Sequence, residues 1–176
     1  MSWRPLAAVV IPGPAATVAI ALNHGQTVIV DEVDADLAAF RWKAEKKHTT
    51  FYAKRTARQT DGRRISETLH KVIAYRMGLV GMIDHRDRDG LNCRRENLRS
   101  ATPSQSGANR GMQKNNTSGV KGVSWDKKAG KWWAYIRVNG KVRHLGRFTD
   151  LEAARAASDK AREEAFGPYA CIGRTS

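Results

Sequence analysis

The sequence has few cysteines and no long hydrophobic run. Its two cysteines, Cys93 and Cys171, lack the Cys-x-x-Cys spacing of a zinc knuckle, so we expect reduced thiols rather than a disulfide framework. The apolar run at residues 6–11 is cut short by Pro12 and Pro14 before it reaches the length of a signal peptide, and we predict an N-terminal arm there. No segment approaches the roughly 18 apolar residues of a membrane span, and we expect no membrane partner.

Acidic residues are also scarce. Asp and Glu number 17 against 31 Lys and Arg, which gives a net charge of +14 over 176 residues. An excess of this size is typical of proteins that bind a polyanion, most often nucleic acid.

The first half of the chain alternates short β-rich runs with turns. We predict four strands in two hairpins, over residues 18–22, 27–30, 51–57 and 63–69. Val33, Leu37 and Phe40 fall at helical spacing and predict a helix over residues 31–42. A second helix is predicted over residues 69–77, with Gly78 as its stop.

The second hairpin is rich in cationic side chains. These are Lys54, Arg55, Arg58, Arg63 and Arg64. One interpretation is a solvated ribbon. The interpretation we favour is a contact with the DNA backbone, chiefly through Arg55 and Arg63, because phosphate neutralisation is what such residues offer.

Residues 83–99 bring together the side chains of a hydrolytic site. Asp84 and His85 are adjacent, a polar loop turns at Asp89-Gly90, and an amide follows at Asn97. A carboxylate oxygen is a ligand that Mg²⁺ prefers, and an imidazole takes a proton near neutral pH.

This stretch resembles the HNH nuclease motif, whose fold is called ββα-metal. The resemblance implies that His85 is the general base, that Asp84 binds a divalent metal, Mg²⁺ or Mn²⁺, and that Asn97 orients the imidazole of His85. Relatives often carry a Leu-His pair upstream, which makes His70 either an accessory residue near the site or a structural one. Cys93 departs from the family, where asparagine is frequent.

A helix after the motif is expected to complete the metal site. Thr102 and Pro103 are suitable for its cap and first turn. The family places an amide or an imidazole where this chain has Ser106, which is a poorer ligand. Asn109 lies three residues on, on roughly the same helix face, and could substitute for it.

The pattern changes after residue 119. Strands are predicted over 122–125, 132–138 and 142–148, with Asn139-Gly140 as a hairpin turn, and a helix over 150–166. Residues 111–148 hold nine Lys and Arg against one acid, whereas residues 150–166 hold three against five. We therefore expect a basic sheet backed by an acidic helix.

This segment resembles the plant Apetala2/ethylene-response-factor DNA-binding domain. The carrying residues are Gly122-Val123-Ser124-Trp125, Lys131-Trp132-Trp133-Ala134, His144-Leu145-Gly146-Arg147-Phe148 and Glu152-Ala153-Ala154. In that family the sheet lies in the major groove. The resemblance implies DNA contacts by Lys121, Trp125, Arg137, Arg143 and Arg147. His144 could belong either to the DNA surface or to the core.

The sequence thus predicts an α+β protein in two parts. An N-terminal region of hairpins and helices carries a ββα-metal nuclease core at about residues 81–111, within a domain spanning 1–111. A linker over 112–119, a three-stranded antiparallel sheet with one helix over 120–170 and a tail over 171–176 follow.

The predicted function is a metal-dependent DNA endonuclease of the HNH homing type. It would be a monomer without a small-molecule cofactor, would come from a phage or mobile element, and would act on double-stranded DNA in the cytoplasm, beside the nucleoid of a bacterial or phage-infected cell. The alternative is a non-catalytic DNA-binding regulator with a degenerate nuclease site. An RNA-binding module would fit the charge but not the Asp84-His85 pair.

Overall fold

The computed structural model describes residues 9–11, 16–47 and 49–172, with side chains from residue 16 onward. The chain divides into two compact units, one ending at Ser100 and the other beginning at Ala101. Small antiparallel sheets with few helices make it an α+β protein, which confirms the predicted class. None of the helices in the described ranges is long and apolar enough to cross a membrane.

Two three-stranded antiparallel sheets dominate the first unit. One contains β1 (Val9–Ile11), β2 (Thr17–Ala21) and β3 (Thr27–Asp31), and the other β4 (Lys43–Lys47), β5 (Thr50–Arg58) and β6 (Arg64–Thr68). Both predicted hairpins are confirmed. The predicted N-terminal arm lies outside the described residues except for β1.

A helix and a two-stranded sheet follow. Helix α1 (Leu69–Arg76) ends before Gly78, whose φ of +70° suits glycine, as predicted. The strands β7 (Met82–His85) and β8 (Leu98–Ala101) then pair with each other.

The helix predicted over residues 31–42 is instead a 3₁₀ helix, Glu32–Ala39. Its three-residue period brings Asp34 and Leu37 onto one face, and both are buried. Val33 is 65% exposed and Phe40 44%, so the expected apolar stripe does not form. On the buried face of this helix, the Asp34 carboxylate accepts hydrogen bonds from Arg76 and Arg95.

The hydrophobic core of the first unit lies between β2, β3, β5 and α1. Its fully buried side chains include Val18, Val28, Val30, Leu37, Leu69 and Ile73. The next stretches of chain, from α1 to β8, are thus attached to a packed scaffold. Rigid support of this kind is what a site needs to hold its side chains in place.

The second unit is a three-stranded antiparallel sheet with two helices. Its elements are α2 (Pro103–Asn109), β9 (Val123–Asp126), β10 (Lys131–Val138), β11 (Lys141–Phe148) and α3 (Leu151–Phe166). Thr102 and Gln105 form a capping box at α2, and Asp150 caps α3. The predicted strands, the Asn139-Gly140 turn and both helices are confirmed.

Residues between α2 and β9 form hydrogen-bonded turns. The Asn116 amide donates to the carbonyl of Val120, and the Ser118 hydroxyl donates to the carbonyl of Val123. Ala108 of α2 packs with Ile136, Ala161 and Phe166 in the core of the second unit. The functional boundary predicted after residue 111 stays a prediction.

Candidate active site and nucleic-acid surface

The candidate active site lies at the end of β7, where two polar residues are buried. Asp84 is 8% exposed and His85 5%. The Nε and one terminal nitrogen of Arg99 donate to Oδ2 of Asp84 at 3.0 and 2.9 Å. Two donors on one oxygen fix the orientation of this carboxylate beside the imidazole.

Three aromatic rings meet at His85. Its ring packs edge-on against that of His70 from α1, with centroids 5.0 Å apart. The ring of Tyr52 from β5 lies 5.3 Å from His70 and 5.8 Å from His85. Three separate elements therefore supply one cluster, which we call the ring cluster: Tyr52, His70 and His85.

Burial holds both imidazoles of the ring cluster in the neutral form. It lowers the pKa of His70 to about 3 and also lowers the pKa of His85, although the nearby carboxylates of Asp87, Asp84 and Asp89 act in the opposite direction on His85. A neutral imidazole is the form that accepts a proton. His85 is therefore in the state that a general base requires at neutral pH.

The polar loop after β7 is closed by side-chain hydrogen bonds. The Asn97 amide donates to Asp87 Oδ1 and to the Asn92 carbonyl at 2.9 and 2.7 Å, and its oxygen accepts from the Asp87 backbone. Both amide hydrogens of Asn97 are thus used by the loop. Asn97 therefore fixes the loop that follows His85, and its predicted role in orienting the imidazole stays a prediction.

The same loop is attached to the neighbouring strands. The Gly90 backbone donates to the hydroxyl of Thr50 at 3.0 Å. A Cβ on Gly90 would lie 2.4 Å from the Phe51 carbonyl oxygen and 2.8 Å from the Tyr52 ring. The Asp89-Gly90 turn was predicted, but glycine is needed there for this close approach, while the positive φ falls on Arg88.

Cys93 helps to hold the loop after β7 through its buried side chain and its backbone. Its thiol is fully buried, burial raises its pKa, and its backbone donates to the carbonyl of Ile29. Nearby, Arg95 binds Asp34 through its side chain and Asp31 through its backbone. These contacts fix the turn that carries Asn97.

The second unit presents an aromatic and cationic surface. Alternation along β10 places Ala134 and Ile136 against α3 and leaves Trp133, Tyr135 and Arg137 on the outer side. Their cross-strand partners on β11, Arg147, His144 and Val142, belong to the same side because directly opposite residues share a face. We call this the outer sheet face.

A β-bulge decides which residues of β11 reach the outer sheet face. Leu145 is the extra residue and packs into the core, and Gly146 has a φ of +140° with the Phe148 ring close to it. His144 is thereby turned outward, where it stacks on Trp133 and accepts a hydrogen bond from its indole at 2.9 Å.

The chain is similar in sequence to a known phage protein. Protein 3.8 of Escherichia phage T7 is 39% identical over 88 residues, which cover 50% of this chain and 72% of that protein. The chain belongs to the Protein 3.8 family. No protein-family model matches it, and no solved structure matches it either.

In this Protein 3.8 relative, two of the five predicted sheet contacts lie on the outer sheet face, Arg137 and Arg147. Trp125 is opposite Trp132, and Arg143 is opposite the buried Ile136, so the register assigns both to the side of α3. Lys121 donates to the carbonyls of Ala108 and Arg110 at the end of α2. These three residues therefore lie off the outer sheet face, and their predicted DNA contacts stay predictions.

The cationic side chains of the β5–β6 hairpin differ in whether they have partners within the fold. Arg55 lies over the rings of Phe40 and Trp42 and pairs with Glu67, so it serves the fold. Arg63 is 79% exposed in its side chain and pairs with Asp61. Arg58 and Arg64 are direct cross-strand partners and exposed, and neither has an ion-pair partner among the described residues.

The predicted metal ligands fall in both units. Asp84 belongs to the first, whereas Ser106 and Asn109 lie on α2 in the second, where Asn109 is buried and Ser106 half-buried. Within the described ranges, no cluster of three or more His, Cys, Asp or Glu side chains is placed to hold a metal. The predicted ligand set stays a prediction.

Sequence reasoning did not single out Tyr52. A signal was available, because alternation along β5 puts Phe51 and Ala53 against the core and Tyr52 on the other side. Only the fold shows that this other side meets His70 and His85.

Proposed function

We propose that this protein is a metal-dependent DNA endonuclease of the HNH type. The observation that carries the proposal is the Asp84-His85 pair at a strand end, where burial keeps the imidazole neutral beside an oriented carboxylate. The order of β7, an Asn97-closed loop, β8 and α2 also agrees with a ββα-metal core.

In the proposed reaction His85 accepts a proton from the attacking water. The water oxygen forms a bond to phosphorus while the bond from phosphorus to the leaving sugar oxygen breaks, and that oxygen takes up a proton from solvent water. Neutral His85 is suited to the first of these proton transfers. Asn97 and the loop hydrogen bonds keep the chain after His85 from moving.

The donor set fits a magnesium or manganese ion shared with the DNA. Mg²⁺ is commonly held by one or two carboxylates together with substrate phosphates, and Asp84 supplies one such carboxylate. Ser106 and Asn109 remain the proposed additional ligands. When bound, the ion would neutralise charge on the phosphate and the leaving oxygen.

We assign DNA binding to the outer sheet face and to the hairpin of β5 and β6. Arg137 and Arg147 are the proposed contacts on the sheet, together with the stacked Trp133 and His144. Arg58 and Arg64 face each other without a neutralising acid, which costs stability unless an anion lies between them. The proposed ligand is duplex DNA. We propose that the protein binds it as a monomer in an infected bacterial cell.

A second candidate is a DNA-binding regulator without nuclease activity. The observation that favours it is the Arg99 guanidinium, which already binds Asp84 from within the fold. Arg99 brings a positive charge to the carboxylate that the nuclease hypothesis assigns to a metal. Ser106, a poor ligand, points the same way.

Cleavage of supercoiled plasmid by the full chain with Mg²⁺ or Mn²⁺ separates the two candidates. The nuclease hypothesis expects nicked or linear product that disappears with EDTA and in His85→Ala. Binding of plasmid without metal-dependent product, at any protein concentration that saturates the DNA, would establish the regulator instead.

A further inference from the structure

Tyr52 makes contacts that the hydrophobic core does not require. Phe51 and Ala53, its neighbours on β5, pack against the core cluster of the first unit. Tyr52 points to the opposite side of the strand, where its ring meets His70 and His85. The core is therefore complete without this ring.

The ring of Tyr52 also meets the loop that follows His85. The approach is so close that a Cβ on Gly90 would lie 2.8 Å from its Cε1 and 2.9 Å from its Cδ1. Thr50, two residues earlier on β5, holds the backbone nitrogen of Gly90. One short piece of strand thus contacts both the imidazole and the loop.

His70 forms the opposite wall of the ring cluster. It is 7% exposed, and its Nδ1 has no hydrogen-bond partner among the described residues. A buried polar atom left in this way costs free energy, so packing stability alone does not account for an imidazole at this position. An apolar side chain would fill the space without that cost.

We propose that Tyr52 is a positioning residue that, with His70 as the opposite wall, sets the orientation of the His85 ring and of the loop beside it. This inference rests on the proposed nuclease function. The action belongs to the ring of Tyr52, since each contact that carries the argument is a ring contact. A displacement of about 1 Å in a reacting group can cost on the order of a hundredfold in rate.

The test compares Tyr52→Leu with Phe51→Leu in the full chain. Both replace an aromatic residue by leucine on β5, but only the first touches the imidazoles. We expect Tyr52→Leu to lower kcat for plasmid cleavage on the order of tenfold to a hundredfold with KM nearly unchanged. Phe51→Leu should lower the melting temperature and leave kcat close to wild type.

Two further variants secure the interpretation. Tyr52→Phe keeps the ring and should restore wild-type kcat. Tyr52→Met fills the space without a flat ring and should behave like Tyr52→Leu, which covers the case that leucine prevents folding. Equal kcat in Tyr52→Leu and Phe51→Leu, or a loss in Tyr52→Phe as large as in Tyr52→Leu, would overturn the proposal.

A readout independent of activity separates this inference from the proposed function. The Cε1–H signal of His85, identified by its absence in His85→Ala, should shift in Tyr52→Leu and stay in place in Phe51→Leu and Tyr52→Phe. If the wild type cuts no DNA, the nuclease hypothesis fails while this NMR comparison still decides the positioning. If the chemical shift of His85 is unchanged in Tyr52→Leu, Tyr52 does not set the orientation of the His85 ring, even when cleavage is observed.

Discussion

The ring cluster and the outer sheet face use the same residue types in opposite environments. In the ring cluster, burial removes charge from two imidazoles and fixes their geometry. On the outer sheet face, His144, Arg137 and Arg147 are all exposed to solvent. The difference teaches that the fold, by excluding or admitting water, decides which of these side chains are held in a fixed geometry and which face solvent. The first environment suits the chemistry that we propose, and the second suits the proposed DNA recognition.

The most severe test removes the imidazole from the buried region. His85→Ala should abolish cleavage, with a loss of at least about a hundredfold, because no other group would take the proton from water. DNA affinity in a mobility-shift assay should stay near wild type, since no phosphate contact is lost. Cutting at the wild-type rate would remove His85 from the role of base.

A substitution in the loop should reach the same region indirectly. Gly90→Ala places a Cβ against the Phe51 carbonyl and the Tyr52 ring, so we expect a loss of about 1–3 kcal/mol in the free energy of unfolding and lower kcat. Urea unfolding and plasmid cleavage measure the two effects. Gly107→Ala is the matched control, because its Cβ meets open space. Equal behaviour of the two variants would contradict the close approach.

The open surface is tested by two arginines on the same sheet. Arg137→Ala should cost about 1–3 kcal/mol of DNA affinity if it reads a guanine edge, and Arg143→Ala less, because the register places it on the side of α3. Mobility shifts at two salt concentrations distinguish base reading from phosphate contact. A larger effect of Arg143→Ala would reverse the assignment of the outer sheet face.

Burial of His70 predicts a dependence of stability on pH. The pKa of His70 is about 3 in the folded protein, against about 6.5 when unfolded, so the unfolded chain binds more protons between these values. Stability should therefore fall as the pH drops from 6.5 towards 3, by about 2 kcal/mol at pH 5. This contribution of His70 should be absent in His70→Leu, whereas the contribution of any other group should remain.

Urea unfolding at pH 7 and pH 5 gives the required difference for each variant. His144→Leu, which removes an exposed imidazole, serves as the control and should keep the wild-type difference. If His70→Leu shows the full wild-type loss at pH 5, the acid sensitivity comes from other groups.

The smallest expected effect concerns the metal. Ser106→Asn supplies the amide that the family resemblance expects in the first turn of α2, and we expect cleavage at a lower Mg²⁺ concentration. Titration of cleavage with Mg²⁺ measures the midpoint, with Ser104→Asn as a control on the same turn. An unchanged midpoint would show that Ser106 is not a ligand position.

Local signals predicted much of the fold. The hairpin turns, Gly78 after α1, the Thr102 cap and the Asn139-Gly140 turn all act within a few residues, so the sequence alone reveals them. Strand β4 was missed because Lys43–Lys47 is strongly polar and only Ala44 is buried. Its strand conformation comes from pairing with β5, which is not a local property.

The candidate site was predictable in the same uneven way. Asp84, His85 and Asn97 are recognisable because they are close together in the sequence. Arg99, which binds Asp84, and the ring of Tyr52 could not be recognised in this way. Each comes from a different strand and is brought near the site only by the fold. Arg55 and Lys121 also have partners within the fold that the sequence did not predict, because a cation's partner depends on tertiary contacts.

The sequence by itself determined the α+β class, the excess positive charge, the adjacent acid and imidazole, and the alternation that separates the two sides of β10. The tertiary structure alone decided the protonation of the imidazoles, because that depends on exclusion of water from their surroundings. It also decided the side on which His144 and Arg143 lie, because the bulge at Leu145 shifts the two-residue period of β11 by one. The alternation of residues in the sequence cannot reveal this bulge, since the extra residue is defined only by the pairing of β11 with β10.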